Sequence, residues 1–279
     1  TSDDDAASID LNGAVVIDGA TRTLTSGNGT IDFSSTVNSK ATEGRGLTIV
    51  SGTGAVAFNG AIGTATTGGA GTLGALTVNS GTDTGTITFA TAADVGTATA
   101  AGASSIIVGG TGTTTLAING AEYFTTGNQE YEANSITMGG ANPDFHASAD
   151  GSHIKFIDGD TGDIVLADTA NLTVQTNNGL IDIAPQIKGT ADGDNTNVTL
   201  SSSGSDGTGT IVLDNTGGAV IGTDIGDVAL TGGTITVSHN IETDAGGIDI
   251  DGAFVLNSSG NTITVTSGTT GAGNIDFDS

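Results

Sequence analysis

Apolar residues along this chain fall two apart in short runs, with Thr, Asp or Ala between them and a glycine in front. Gly29-Thr30-Ile31-Asp32-Phe33, Gly54-Ala55-Val56-Ala57-Phe58 and Gly85-Thr86-Ile87-Thr88-Phe89 share the pattern. Gly179-Leu180-Ile181-Asp182-Ile183, Gly209-Thr210-Ile211-Val212-Leu213, Gly247-Ile248-Asp249-Ile250 and Gly273-Asn274-Ile275-Asp276-Phe277 repeat it. Alternation with period two puts Ile31 and Phe33 on one face of an extended strand and Asp32 on the other. The pattern predicts half-buried β-strands.

A second motif precedes most copies: Leu47-Thr48-Ile49, Leu76-Thr77-Val78, Leu172-Thr173-Val174, Val198-Thr199-Leu200, Ile235-Thr236-Val237 and Ile263-Thr264-Val265. Turn formers such as Ser51-Gly52-Thr53, Ser80-Gly81-Thr82-Asp83 and Asn177-Asn178 separate the two. Two strands and two turns thus recur at roughly 25 to 37 residues, the spacing of a stacked repeat. A unit of this size cannot bury its apolar face alone, so copies must stack. Parallel stacking predicts an inward ladder of Phe33, Phe58 and Phe89, continued by Ile181, Leu213 and Phe277. At ~4.8 Å per strand, about ten units make a rod on the order of 50 Å long.

The fold predicted is all-β: a parallel β-helix (β-solenoid) of roughly ten Gly/Thr/Asn-rich rungs. Tandem β-sandwich domains are the alternative, since they too are built of short strands with turn signals. Residues 1–279 read as a single repeat-built domain. Residues 121–160 depart from the rhythm and read as an irregular insertion or a wider rung. They hold both tyrosines, Pro143, His146 and His153.

Composition narrows the function. Of the 279 residues, 47 are Gly, 31 are Asp or Glu, 5 are Lys or Arg, and none is Cys or Trp. The formal net charge of −26 argues against nucleic acid, whose phosphates are bound by Lys and Arg, and against an anionic membrane surface. No apolar stretch approaches the ~20 residues of a membrane-spanning helix. Without Cys there are no disulfides, thiolate metal sites or thiol nucleophiles. The sequence opens on Thr1-Ser2-Asp3-Asp4-Asp5, which reads as a processed end without a signal peptide.

Catalysis is not expected. Paired carboxylates for glycoside cleavage could come from the acidic strands, but no Trp is present to grip a sugar. The cations Arg22, Lys40, Arg45, Lys155 and Lys188 are scattered. No serine sits in a Gly-x-Ser-x-Gly elbow, and no Gly-rich loop ends in Lys-Ser/Thr. His146 and His153 flank Asp150 in what reads as a polar turn. Calcium is the more credible ion: Asp158-Gly159-Asp160-Thr161-Gly162-Asp163 alternates carboxylates Asp158, Asp160 and Asp163 in a Gly-rich loop, which suits a hard cation in a structural role. Asp192-Gly193-Asp194-Asn195 and Asp224-Ile225-Gly226-Asp227 are weaker versions. Sequons stand at Asn28, Asn171, Asn197 and Asn257.

Thr125-Thr126-Gly127-Asn128-Gln129-Glu130-Tyr131 followed by Ile136-Thr137-Met138-Gly139 resembles the repeat signature of giant bacterial β-strand-repeat surface proteins. Leu47-Thr48-Ile49 with Phe58-Asn59-Gly60-Ala61-Ile62-Gly63, and Leu116-Ala117-Ile118-Asn119-Gly120, resemble the same repeats. Those proteins are similar to filamentous-haemagglutinin and autotransporter passengers, and the resemblance implies a right-handed β-helix exported to the cell surface. The chain ends on a repeat strand with no polar capping rung, and uncapped strands are templates for pairing. The expectation is a non-enzymatic extracellular structural subunit that self-assembles head-to-tail into a filament, sheath or surface layer. Its partners would then be copies of itself. The alternative is a repeat or stalk fragment of a large cell-surface adhesin, with a receptor or cell-surface glycan contact near Tyr123, Tyr131 and His146.

Overall fold

The computed structural model describes residues 7–64, 70–139, 142–158, 162–190, 196–204, 206–215, 218–258, 260, 262–268 and 273–278, with the side chains of Ala70 and Asp158 left out. Among the described residues the secondary structure is entirely β, and no helix occurs. The strands build three ladders.

The first ladder is an 8-stranded sheet in chain order: Ile9–Leu11, Ile31–Phe33, Val56–Phe58, Ile87–Phe89, Leu116–Ile118, Ile136–Met138, Asp163–Leu166 and Gln186–Lys188. Every pairing in it is parallel and in register, Ile31 on Val56 and Phe33 on Phe58 for example. Single bridges carry it on from Ile187 to Ile221 and Ile241. Among its eight strands the chain returns after 20 residues at the shortest, from Leu116 to Ile136, and after 31 at the longest, from Val56 to Ile87.

The second ladder starts with Val15–Ile17 and Val37–Lys40, and shrinks to the single bridging residues Ile62 and Val95. It widens again through Glu122–Thr125, Asp144–Ala147, Leu172–Thr176 and Thr196–Ser202. The third runs from Arg22–Thr25 through Leu47–Val50, Leu73–Val78, Ala103–Gly109, Gln129–Ala133, Ile154–Asp158, Leu180–Ile183 and Thr210–Leu213. Two long strands, Ile225–Val237 and Ile248–Leu256, then carry both ladders at once with an irregularity between Thr231 and Thr234. That continuity makes the third ladder and the second, from Glu122 onward, one 15-stranded sheet.

Each cycle therefore contributes three strands, where the sequence motifs suggest two. The missed strand is the one reduced to Ile62 and Val95, where a single residue bridges and no alternation is visible. The Gly-led motif is also shared out among the ladders. Its copies at Phe33, Phe58 and Phe89 lie on the first ladder, those at Ile181 and Leu213 on the third, and those at Ile250 and Phe277 on the second. All three ladders bury one face, so one alternating pattern serves each. Residues 122–158 supply strands to all three ladders in register with their neighbours.

The core is one continuous cluster. Phe33, Phe58 and Phe89 stack with ring centroids 4.9 and 5.0 Å apart, the strand spacing itself. Tyr123 stacks on Phe145 at 4.8 Å and Tyr131 on Phe156 at 5.2 Å, and the columns meet edge to face, Phe89 on Tyr123 and Phe145 on Phe156. The expected continuation of the first stack by Ile181, Leu213 and Phe277 does not form. After Phe89 the first ladder places Ile118 and Met138 in that column.

Turn side chains tie successive cycles together. Asn142 Oδ1 accepts from the Asn171 N–H at 3.0 Å, Asn171 from Asn197 at 2.9 Å, Asn197 from Asp227 at 2.7 Å, and Asp227 from Gly247 at 2.8 Å. The sequon residues Asn171 and Asn197 thus use their amide oxygens inside the fold. The glycines before the strands serve close approach: a methyl at Gly54 would overlap the Gly29 carbonyl, and one at Gly85 the Gly54 carbonyl.

Candidate functional site

Of the predicted calcium ligands, Asp160 and the side chain of Asp158 lie outside the described residues. Asp163 opens a strand of the first ladder, and its carboxylate accepts a charge-assisted bond from Lys188 Nζ. The weaker loop 192–195 also lies outside the description. Asp224 takes a left-handed backbone conformation, and its carbonyl accepts from Thr196 Oγ1. Among the described residues, no three His, Asp or Glu side chains come close enough to hold a metal ion.

The tyrosines offered as a surface contact are instead fully buried. Period-two alternation puts Tyr123 and Tyr131 on inward faces, and burial raises both phenol pKa values well above the ordinary range. Between them lies a polar group the sequence reading missed. Gln129 is buried at the start of a third-ladder strand, and its Nε2 donates to the Tyr123 carbonyl at 2.8 Å, the His146 carbonyl at 2.8 Å and Thr125 Oγ1 at 3.0 Å. Its Oε1 accepts from the Tyr131 hydroxyl at 2.9 Å. A glutamine two residues before a tyrosine on one strand face was the available signal.

His146 and His153 are separated by the fold. His153 Nε2 meets Glu130 Oε1 at 2.8 Å on the outer side of the third ladder. Asp150 accepts from Asn178 Nδ2 at 3.0 Å. His146 lies on the outer side of the second ladder, where it stacks on Phe124 at 4.3 Å and 23°. Strand alternation explains this pair: Tyr123 and Phe145 point in, so Phe124 and His146 point out. Phe33, Phe58, Phe89, Tyr123, Tyr131, Phe145 and Phe156 are all buried. Phe254 and Phe277 contact each other at the last strands. Among the described phenylalanines and tyrosines, Phe124 is the one set on an outer face.

Two positions before Phe124 and His146 in the same strands, and so on the same outer face, Glu122 lies beside Asp144. Burial first, then the neighbouring charges of Asp144 and Asp94, holds the Glu122 carboxyl above its ordinary pKa. Asp144 is likewise raised by burial, against the opposing hydrogen bond from Gln175. Gln175 Nε2 reaches Asp144 Oδ1 at 3.3 Å. Beyond His146, a cavity of about 350 Å³ is lined by His146, Ser148, Gln175, Asn177, Ser201 and Ser203. A second, of about 440 Å³, begins at the same Ser203 and runs past Thr231 to Asp251.

The five cations are all engaged within the chain. Lys40 and Arg45 pair with Asp18 and Glu43, Lys155 with Asp182, Lys188 with Asp163, and Arg22 donates to the Asp18 carbonyl. At the last strands the fold is open. Leu256, Ile275 and Phe277 continue inward-facing columns, yet are 54, 39 and 53% exposed.

Comparison with protein-family models, with curated proteins and with solved structures returned no match. What the fold and surface define is an all-β, parallel-stranded, strongly acidic protein.

Proposed function

We propose that the chain is a parallel β-solenoid of roughly ten rungs and a non-enzymatic, extracellular structural subunit that assembles head-to-tail into a filament, sheath or surface layer. Parallel pairing at intervals of 20 to 31 residues along the first ladder's eight strands supports the solenoid over tandem sandwiches, whose sheets are antiparallel. The observation that carries assembly is the exposure of Leu256, Ile275 and Phe277 on columns that are otherwise buried. The second-ladder column that begins with Val15 reaches Phe277, so stacking one copy on another sets Phe277 against Val15 of the next. Such a contact is heterologous, does not close, and propagates into a fibre. The charge of −26 opposes it at low ionic strength, and cations favour it. Calcium at Asp158, Asp160 and Asp163 is the proposed bridging ion, in competition with Lys188 for Asp163.

Negative-stain electron microscopy and sedimentation velocity, with calcium and with a chelator, test the reading. Continuous filaments are expected, with loss of filaments but retained β-sheet circular dichroism in the Ile275→Asp/Phe277→Asp variant. A protein that stays monomeric at high concentration under both conditions sinks the assembly reading. The second reading, a stalk segment of a larger surface adhesin, rests on the same exposed strands, which further repeats of one chain would cover equally well.

A further inference from the structure

We infer that the outer face of the second ladder carries a binding groove for a neutral oligosaccharide, running along the stacking direction from Phe124 and His146 to Asp251. The rows that form it are consecutive register partners: Phe124 on His146, His146 on Gln175, Gln175 on Ser201, Ser201 on Thr231, and Thr231 on Asp251. From His146 to Asp251 there are four strand spacings, about 19 Å, the reach of a short linear glycan. The two cavities share Ser203 and so lie side by side along these rows.

Three properties select the ligand. First, one end of the groove holds an aromatic pair, Phe124 stacked on His146 at 4.3 Å; the two rings cover each other's inner faces and leave ring edges outward, an apolar contact for the C–H groups of a sugar. The pair is followed by side-chain hydroxyls and amides, Ser148, Gln175, Asn177, Ser201 and Ser203, which donate and accept at short range as a sugar's hydroxyls require. Second, the five cations are all taken up by internal partners, and Asp144 and Glu122 flank the aromatic pair, so a uronic acid, sulfate or phosphate would be repelled. Third, the strands under the groove are paired on both sides along its length, which leaves no backbone edge for an extended peptide to add to. The inference does not depend on assembly, because the groove lies on the side of the ladders and not at their end.

The probes are cellotetraose, mannotetraose and tetra-N-acetylchitotetraose, with tetragalacturonate as the anionic control. Each is titrated into the full chain by isothermal calorimetry and by NMR of the Phe124 and His146 rings. At least one neutral tetraose is expected to bind and to shift those rings. Phe124→Ala and Ser201→Ala/Ser203→Ala are each expected to weaken it about tenfold. Phe124→Leu keeps the apolar bulk without the ring, so it should bind as weakly as Phe124→Ala even if the alanine variant is less stable. No binding of any neutral tetraose at about 5 mM overturns the inference, as does equal binding of tetragalacturonate. Binding that both variants leave unchanged overturns it as well, because the sugar would then sit elsewhere.

Discussion

Gln129 is a buried polar position on which four partners depend. Its amide is fully buried and serves four partners, the carbonyls of Tyr123 and His146, Thr125 Oγ1 and the Tyr131 hydroxyl. Gln129→Met keeps the side-chain volume but removes every one of these bonds. An orphaned buried polar group costs roughly 1–3 kcal/mol. The Tyr131 hydroxyl and at least one carbonyl are stranded, so about 3 kcal/mol of lost stability is expected. Tyr131→Phe alone strands only Gln129 Oε1 and should cost about 1 kcal/mol. In the double variant the Tyr131–Gln129 pair is absent from both sides, so its cost should fall short of the sum by about 1 kcal/mol. With two tyrosines and no tryptophan in the chain, urea unfolding followed by tyrosine emission reports on this region directly. Strict additivity, or a Gln129→Met variant within about 0.5 kcal/mol of the parent, would refute the network as the source of stability.

Three further outcomes follow from the packing and the charges. Phe58→Ala removes the middle ring of a fully buried stack and should cost about 4 kcal/mol by denaturant titration, whereas Phe124→Ala on the outer face should cost under about 1 kcal/mol. Gly54→Ala drives a methyl into the Gly29 carbonyl and should lower stability by about 2 kcal/mol, while Gly13→Ala, with open space around it, should be neutral. Burial holds Glu122, Glu132, Asp144 and Asp182 above their ordinary pKa values, so the fold prefers them protonated. Their contribution is missing at neutral pH, grows as pH falls through the folded values, and is complete below the unfolded ones. Neutralising part of the −26 charge acts in the same direction. The melting temperature should therefore rise between pH 7 and about pH 5, and a steady fall over that range would contradict the assignment.

The β character and the inward side of most strands were legible in the sequence, because period-two alternation is a local signal. Ile31, Phe33, Val56 and Phe58 were placed on a buried face, and they are. The assignment of strands to ladders was not legible. Three faces with the same burial requirement select the same motif, so nothing in Gly209-Thr210-Ile211 marks it as belonging to a different face from Gly54-Ala55-Val56. The strand at Ile62 and Val95 was invisible for the opposite reason, since one residue has no period. The contact expected near Tyr123 and Tyr131 rests on their segment's departure from the repeat rhythm, although their own alternation with Phe124 and Glu130 points them inward. Phe124 went unremarked, yet a phenylalanine directly after a buried tyrosine in one strand must face out.

Strands inside the ladders are hydrogen-bonded to their counterparts one cycle earlier and one cycle later, and those bonds run along the stacking direction. A pull between the two ends would load them in line, opening one ladder step before the next is strained. A single cycle of about 25 residues, drawn out straight, releases about 80 Å of slack. Stretched from end to end, the molecule would yield in a sawtooth of such steps, taking up extension cycle by cycle while the remaining ladders hold.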